Sequence, residues 1–265
     1  MLLFSVCVDE SGTLDLKHIP RVSTTALNRA DLLQKRGLYP PPSGESEILG
    51  LEASGVITDI GPGVKENWKL GSKVRALLGG GGYAEYVAVP EEHVMPVPSP
   101  LTLYQSAALP EAWLTAYQLL HFIGNMMSAS VRFQYSLKVS NGADVILDCV
   151  GGYFWKKNIC SITIDGRWVL YGMLGGKTAD GDLLGKLLRK RGNLLCSLLR
   201  SRRLQYKVEL VRSFTEQVLS HFKSTDPPLW PVIDSMFNME DVEMAHQRMQ
   251  ANKNIGKIII KIINS

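Results

Sequence analysis

Two apolar runs that end in glycine constrain this chain more than anything else in it: Asp144–Val150 before Gly151-Gly152, and Arg167–Tyr171 before Gly172. Short apolar runs closed by glycine read as buried parallel strands of a nucleotide-binding α/β sheet, because glycine lets the backbone approach a ligand at the strand end. Such a sheet normally holds a dinucleotide pyrophosphate in a Gly-x-Gly-x-x-Gly turn after its first strand. No such turn precedes either run. Any function has to be argued across that gap.

The 265 residues are enough for one or two cores. A net charge of +4 eases the approach of an anionic ligand but falls short of a nucleic-acid-binding signature. Cys7, Cys149, Cys160 and Cys196 lie far apart with no C-x-x-C pair, so a structural zinc is not expected. Cys149 and Cys196 fall in apolar runs and read as buried thiols, which fits a reducing, cytoplasmic location. The run Met1–Val8 is short and lacks basic residues ahead of it, unlike a signal peptide. No stretch approaches the roughly 20 apolar residues of a membrane span.

Up to about residue 100 the pattern is all-β. Val56–Ile60 before Gly61-Pro62-Gly63, Lys73–Leu78 before four glycines, and Tyr83–Val89 before Pro90 are the clearest strands. Gly79–Gly82 reads as a hairpin or loop connection more readily than as a phosphate cradle, since a phosphate loop should open a helix and Tyr83–Val89 alternates like a strand. From Thr102 the period changes. Trp113, Ala116, Tyr117 and Leu120 recur at helical spacing within Glu111–Phe122. Gly151–Ile164 reads as a turn and helix, Asp182–Lys190 as a helix, and Asn193–Leu199 as a strand. Tyr206–Phe222 reads as a helix broken by Asp226-Pro227-Pro228, Met239–Gln250 as a short helix, and Ile258–Ile263 as a closing strand.

Several of these segments carry a family resemblance. Ala26–Leu32, Ile48–Gly55, Gly82–Val87, Ala108–Ala116, Leu147–Gly152, Gly166–Gly172 and Asn252–Ile258, in this order, resemble the quinone oxidoreductases of the medium-chain dehydrogenase/reductase superfamily, closest to the tumour-suppressor-inducible branch. The resemblance implies an α/β protein: a GroES-like β domain from residues 1–101 and 227–265, and a Rossmann-type domain from 102–226. It also implies NADPH as cofactor, a small-molecule quinone as substrate, and a homodimer, or a heterodimer with a full-length form.

The chain departs from that family in one large respect. Between Gly124-Asn125 and Asn141-Gly142 the family carries the first βαβαβ half of its Rossmann fold, and here only Met126–Ser140 stands in its place. One βαβ unit alone needs roughly 30 residues. In strand order 3-2-1-4-5-6 what remains is a truncated sheet of the fourth, fifth and sixth strands, with the fourth left as an apolar edge. A second gap, between Leu16 and Val22, falls where the family has another strand of its β domain.

The resemblance also suggests site residues. Zinc-dependent relatives place a Cys near Asn28 and a Gly-His-Glu run where this chain has Gly50-Leu51-Glu52, so a metal site is not expected. Asn28 and Tyr39 would line the nicotinamide and substrate cleft, Tyr39 orienting a quinone or donating a proton. Thr115 would bring a hydroxyl toward the cofactor. Asp148, Val150 and Gly151, together with Gly172, Met173 and Leu174, would form the nicotinamide edge. Ser197, Leu198 and Leu199 would approach it from the next strand, and Asn254 and Lys257 from the closing motif. Glu52 reads as a structural carboxylate. The basic cluster Lys186, Arg189, Lys190, Arg191, Arg200, Arg202 and Arg203 lacks interleaved aromatics and reads as a solvated face. The five histidines have no ligand spacing and read as surface or satisfied core residues.

Overall fold

Alternating β-branched and small residues organise the first third of the chain into antiparallel strands, and the same sheet is completed by the chain's last strands. A computed structural model describes residues 18–64, 68–126, 142–223 and 230–262. Within these, β1 (His18–Ala26), β2 (Glu52–Ile60), β3 (Lys73–Leu77) and β4 (Val94–Pro96) pair antiparallel in sequence order. β9 (Lys257–Lys261) pairs antiparallel with β1, and β8 (Ile233–Asn238) lies parallel to β9. The sheet order is β4-β3-β2-β1-β9-β8. Its core includes Val22, Ile57, Val74, Val87 and Val94, with a second cluster of Leu27, Leu32, Ala245, Met249, Ile258 and Ile260 under the helices.

The chain divides into two compact units, residues 1–114 with 200–265, and residues 115–199. Helix α6 (Leu204–Val218) falls in the first unit. The buried Arg75 of β3 lies against two rings from this segment, 5.9 Å from the Phe214 centroid and 5.7 Å from that of Phe222. Cation–aromatic contacts of this kind gain strength when desolvated.

The second unit holds a three-stranded parallel sheet in the order β5-β6-β7, formed by Ala143–Asp148, Ile162–Leu170 and Asn193–Cys196. Helices α4 (Trp155–Ser161) and α5 (Leu183–Lys190) are the crossovers that parallel strands require. Trp155, Ile159, Ile162, Trp168 and Leu187 pack as their core. Helix α3 (Pro110–Tyr117) continues as a π-helical turn, Gln118–Ile123, and carries the chain into this unit.

Four sequence expectations are corrected. Ile162–Ile164 begins β6 and does not end a helix, because three consecutive β-branched residues favour extended backbone. Tyr83–Val89 is a turn with one isolated bridge, Arg21↔Tyr86, and no ladder. Its alternation records which side chains are buried, while the N–H groups of Gly81, Gly82 and Tyr83 donate to Ile48, Gly50 and Leu49. The strand from Asn193 stops at Cys196. Cys196 is exposed and not a buried thiol, since β7 is an edge among the described residues. Cys7, Met1–Val8 and the Asp226-Pro227-Pro228 break lie outside the described residues.

Candidate functional site

In the first unit the site is built on the turn between β1 and α1 (Arg29–Lys35). Asn28 caps α1 in extended conformation, and its N–H donates to Asp31 Oδ2 at 2.7 Å. Gly50 N–H donates to the other Asp31 oxygen at 3.1 Å. Both strands beside this turn therefore share one buried carboxylate. The Asn28 side chain faces the opposite way: Nδ2 donates to Glu52 Oε1 at 2.8 Å, and Oδ1 accepts from Lys257 Nζ at 2.7 Å. Lys257 also contacts Glu52 Oε1 at 2.5 Å, and Glu52 Oε2 accepts from Glu111 N–H at 2.9 Å.

Residues 28, 31, 52, 111 and 257, far apart in sequence, thus form one polar network around a single ammonium. Glu52 is fully buried and every carboxylate oxygen it has is used. Burial raises the Asp31 carboxyl to about 6, opposed by the Asn28 and Gly50 N–H groups and by Lys257. Burial raises Glu111 to about 7, with the Glu52 charge adding to it and Lys257 opposing. Part of the Glu111 residue remains exposed, so the shift reflects how its carboxyl group is screened from water. Groups poised near neutrality by burial and neighbours are a signature of functional sites.

Tyr39 lies in the same unit. The Arg200 guanidinium stacks 5.2 Å from its ring centroid, and Arg200 Nη1 donates to Tyr39 O at 3.3 Å. Burial, and then the Glu111 charge, push the Tyr39 phenol up, while Arg200 pulls it down. Arg200 is buried, with Nε and Nη2 donating to Gly79 O at 2.8 and 2.6 Å, so it does not belong to a solvated basic face. Arg189 and Arg191 do sit on the surface, paired with Asp182 and Asp165. Asn254 makes a local bond, Nδ2 to Gly256 O at 2.9 Å.

In the second unit Asp148, Val150, Gly151, Gly172, Met173 and Leu174 converge at the carboxyl ends of β5 and β6. Asp148 braces this edge. Its Oδ1 accepts from Val150 N–H and Gly151 N–H at 2.7 and 3.0 Å, and its Oδ2 from Asn158 Nδ2 and Trp168 Nε1 at 2.8 and 3.0 Å. Ser197 is buried and accepts from Gln118 Nε2 at 2.6 Å, Leu199 is buried, and Leu198 is exposed. Thr115 is half-buried on α3.

The described residues fit a dinucleotide at one end only. The N–H groups of Gly152, Tyr153, Leu174 and Gly175 donate to Gly176, Gly175, Cys149 and Val150 carbonyls. With Val150 and Gly151 on Asp148, this edge offers no cluster of free donors to a pyrophosphate. What it does present is apolar: Met173 and Leu174 are 59% and 58% exposed, a face suited to a planar ring. Among the described residues no three His, Cys, Asp or Glu side chains converge as a metal-binding set.

Asp31, Glu111 and Arg200 were not singled out from sequence as site residues. Asp31 could have been found from its place three residues after the Asn28 cap, the spacing at which a side chain returns to the cap N–H. Arg200 could not, since its partners Gly79 and Tyr39 are distant in the chain. His93, read as a surface or satisfied core residue, is buried with its Nε2 lacking a hydrogen-bond partner among the described residues.

Residues 19–99 match the alcohol dehydrogenase GroES-like domain, and residues 121–260 match the family described as zinc-binding dehydrogenase. The chain is 24% identical over 328 residues to the human protein "Synaptic vesicle membrane protein VAT-1 homolog-like", spanning 98% of this chain and 77% of that one. Its fold is similar to a Pseudomonas syringae quinone oxidoreductase, with TM-score 0.71, 21% identity, and 93% and 91% of the two chains covered. A mycobacterial protein complexed with NADPH superposes with TM-score 0.73 at 17% identity, covering 92% and 91%. With the second of these models matching more than half of its length, the chain belongs to the medium-chain dehydrogenase/reductases, a family of oxidoreductases.

Proposed function

We propose that this chain is a zinc-independent, NADPH-linked reductase of quinones or related electron-poor carbonyl compounds, with a weakened cofactor site. The observation that carries this reading is the Lys257 ammonium bound to Glu52 and Asn28. A protein cation occupies the carboxylate and amide, and Leu51 stands where a ligand histidine would be needed. Without a Lewis acid to polarise it, the acceptor has to be electron-poor already. When bound, NADPH would supply a hydride. The Tyr39 phenol, kept protonated by its surroundings, would supply the proton, and the quinone taking up both becomes a hydroquinone. Arg200 fixes the Tyr39 ring by stacking. The Glu52–Asn28–Lys257 network holds the β1–α1 turn that carries Asn28. Similarity to a quinone oxidoreductase and to an NADPH-bound protein supports the reading.

Each phosphate hydrogen bond the cofactor lacks would remove ~1–3 kcal/mol of binding, roughly 5- to 150-fold. Calorimetric titration of size-homogeneous protein with NADPH, beside a full-length relative, is the test. The expected result is binding weaker than the relative's, with quinone-dependent NADPH oxidation. Folded protein that neither binds NADPH nor oxidises it would overturn the reading.

That outcome would favour the alternative, a catalytically impaired form that pairs with a full-length chain or with itself. The feature behind it is apolar surface on the second unit: Leu184 and Leu188 of α5 are 80% and 79% exposed, next in sequence to the edge strand β7.

A further inference from the structure

The first unit contains a recess of about 420 Å³ that the proposed reaction does not use. Its walls include Leu78, Val89 and Leu204, and it is also lined by Arg200, Arg202 and Lys207 against a single carboxylate, Glu45. Lys207 is the unusual member. It is 6% exposed, and its ammonium has one counter-charge, Glu45 Oε1 at 3.8 Å, too far for a hydrogen bond. His93, 5% exposed, lines the same recess with its Nε2 unpartnered among the described residues. Burial and the nearby Lys207 depress the His93 imidazole to about 4, so at neutral pH an N–H on that nitrogen can donate without adding charge. Gly79 and Gly80 keep the wall thin. A methyl group on Gly79 would stand 2.0 Å from the Glu45 carboxylate, and one on Gly80 would stand 2.2 Å from Ser46 O.

We propose that this recess is a binding site for a small organic anion, a phosphate or carboxylate group on a compact apolar body. Lys207 and His93 would receive the anionic head, Arg202 would add charge at the wall, and Leu78, Val89 and Leu204 would cover the apolar part. Arg200 lines the recess while its guanidinium is committed to Gly79 and Tyr39, so it contributes field more than contact.

The test uses phenyl phosphate, inorganic phosphate and benzoate as probes, with thermal unfolding and calorimetric titration as readouts at constant ionic strength. Wild-type protein should be stabilised in a saturable way by phenyl phosphate, and less by inorganic phosphate. Benzoate ranking above phenyl phosphate would identify the carboxylate as the preferred head. Lys207→Met should weaken binding at least 10-fold while keeping a cooperative unliganded melting transition. Lys207→Arg should retain binding. Glu45→Gln removes the competing carboxylate and should tighten binding several-fold, and it decides the matter should Lys207→Met not fold. Saturable binding by none of the three probes would overturn the proposal. So would Lys207→Met binding like wild type, or Glu45→Gln weakening binding.

Discussion

At the scale of single residues, the site is defined by carboxyl groups whose protonation the fold has shifted. Asp31 and Glu111 titrate about 6 and about 7 when folded, against ordinary values of 3.8 and 4.5. At these two groups the folded protein holds more protons than the unfolded chain between about pH 4 and 7, so their contribution to stability falls as pH rises through that window and is gone above it, while His93, depressed to about 4, works in the opposite sense. Glu111→Gln should flatten the part between about 4.5 and 7, so that urea midpoints at pH 5 and pH 8 lie closer together than in wild type. The buried Arg75 guanidinium follows the same logic with opposite charge: burial lowers it to about 9, because the rings of Phe214 and Phe222 solvate it less well than water does.

At the scale of elements, the approach of the loop before β2 to the glycine run is what closes the site. Gly50 has φ +101°, and a Cβ there would lie 2.6 Å from Gly82 Cα and 2.8 Å from Gly82 C, both backbone atoms that cannot swing away. The same residue donates to Asp31 and accepts from Gly82 N–H. Gly50→Ala combines left-handed strain with overpacking and should cost about 3 kcal/mol in chemical denaturation. Because the loop carries the Asp31 contact, the variant should also lose part of the pH dependence described above. Strand β2 itself was legible in the sequence through Val56–Ile60, while its extension back to Glu52 was not. Glu52 is a carboxylate inside a strand, tolerated there only because Asn28, Glu111 and Lys257 satisfy it.

At the scale of the whole molecule, the second unit carries exposed apolar side chains. Leu184 and Leu188 stand four residues apart on one helical face, and Leu194 of β7 is 39% exposed. Both β5 and β7 are edges of the parallel sheet among the described residues, and unpaired edges invite pairing. On the alternative reading of a form that pairs with itself, sedimentation velocity should show self-association. Burying a leucine contributes ~1.5–3 kcal/mol, so Leu184→Glu with Leu188→Glu should weaken association by about 100-fold or more.

Much of the architecture could be read from residue order alone. Glycine-closed apolar runs marked β5 and β6, and helical spacing marked α5, α6 and the helix Val242–Gln250, because burial of one face imposes its period directly on the sequence. Asn28 and Lys257 could be nominated from motifs that resemble a family. Tertiary structure alone decided that these two residues share Glu52, that Arg200 is buried against Tyr39, and that Lys207 and His93 face a recess with little to bind. Those outcomes depend on chain segments separated by tens to hundreds of residues, and on how burial changes the cost of charge. Neither quantity is local, so no window of sequence contains it.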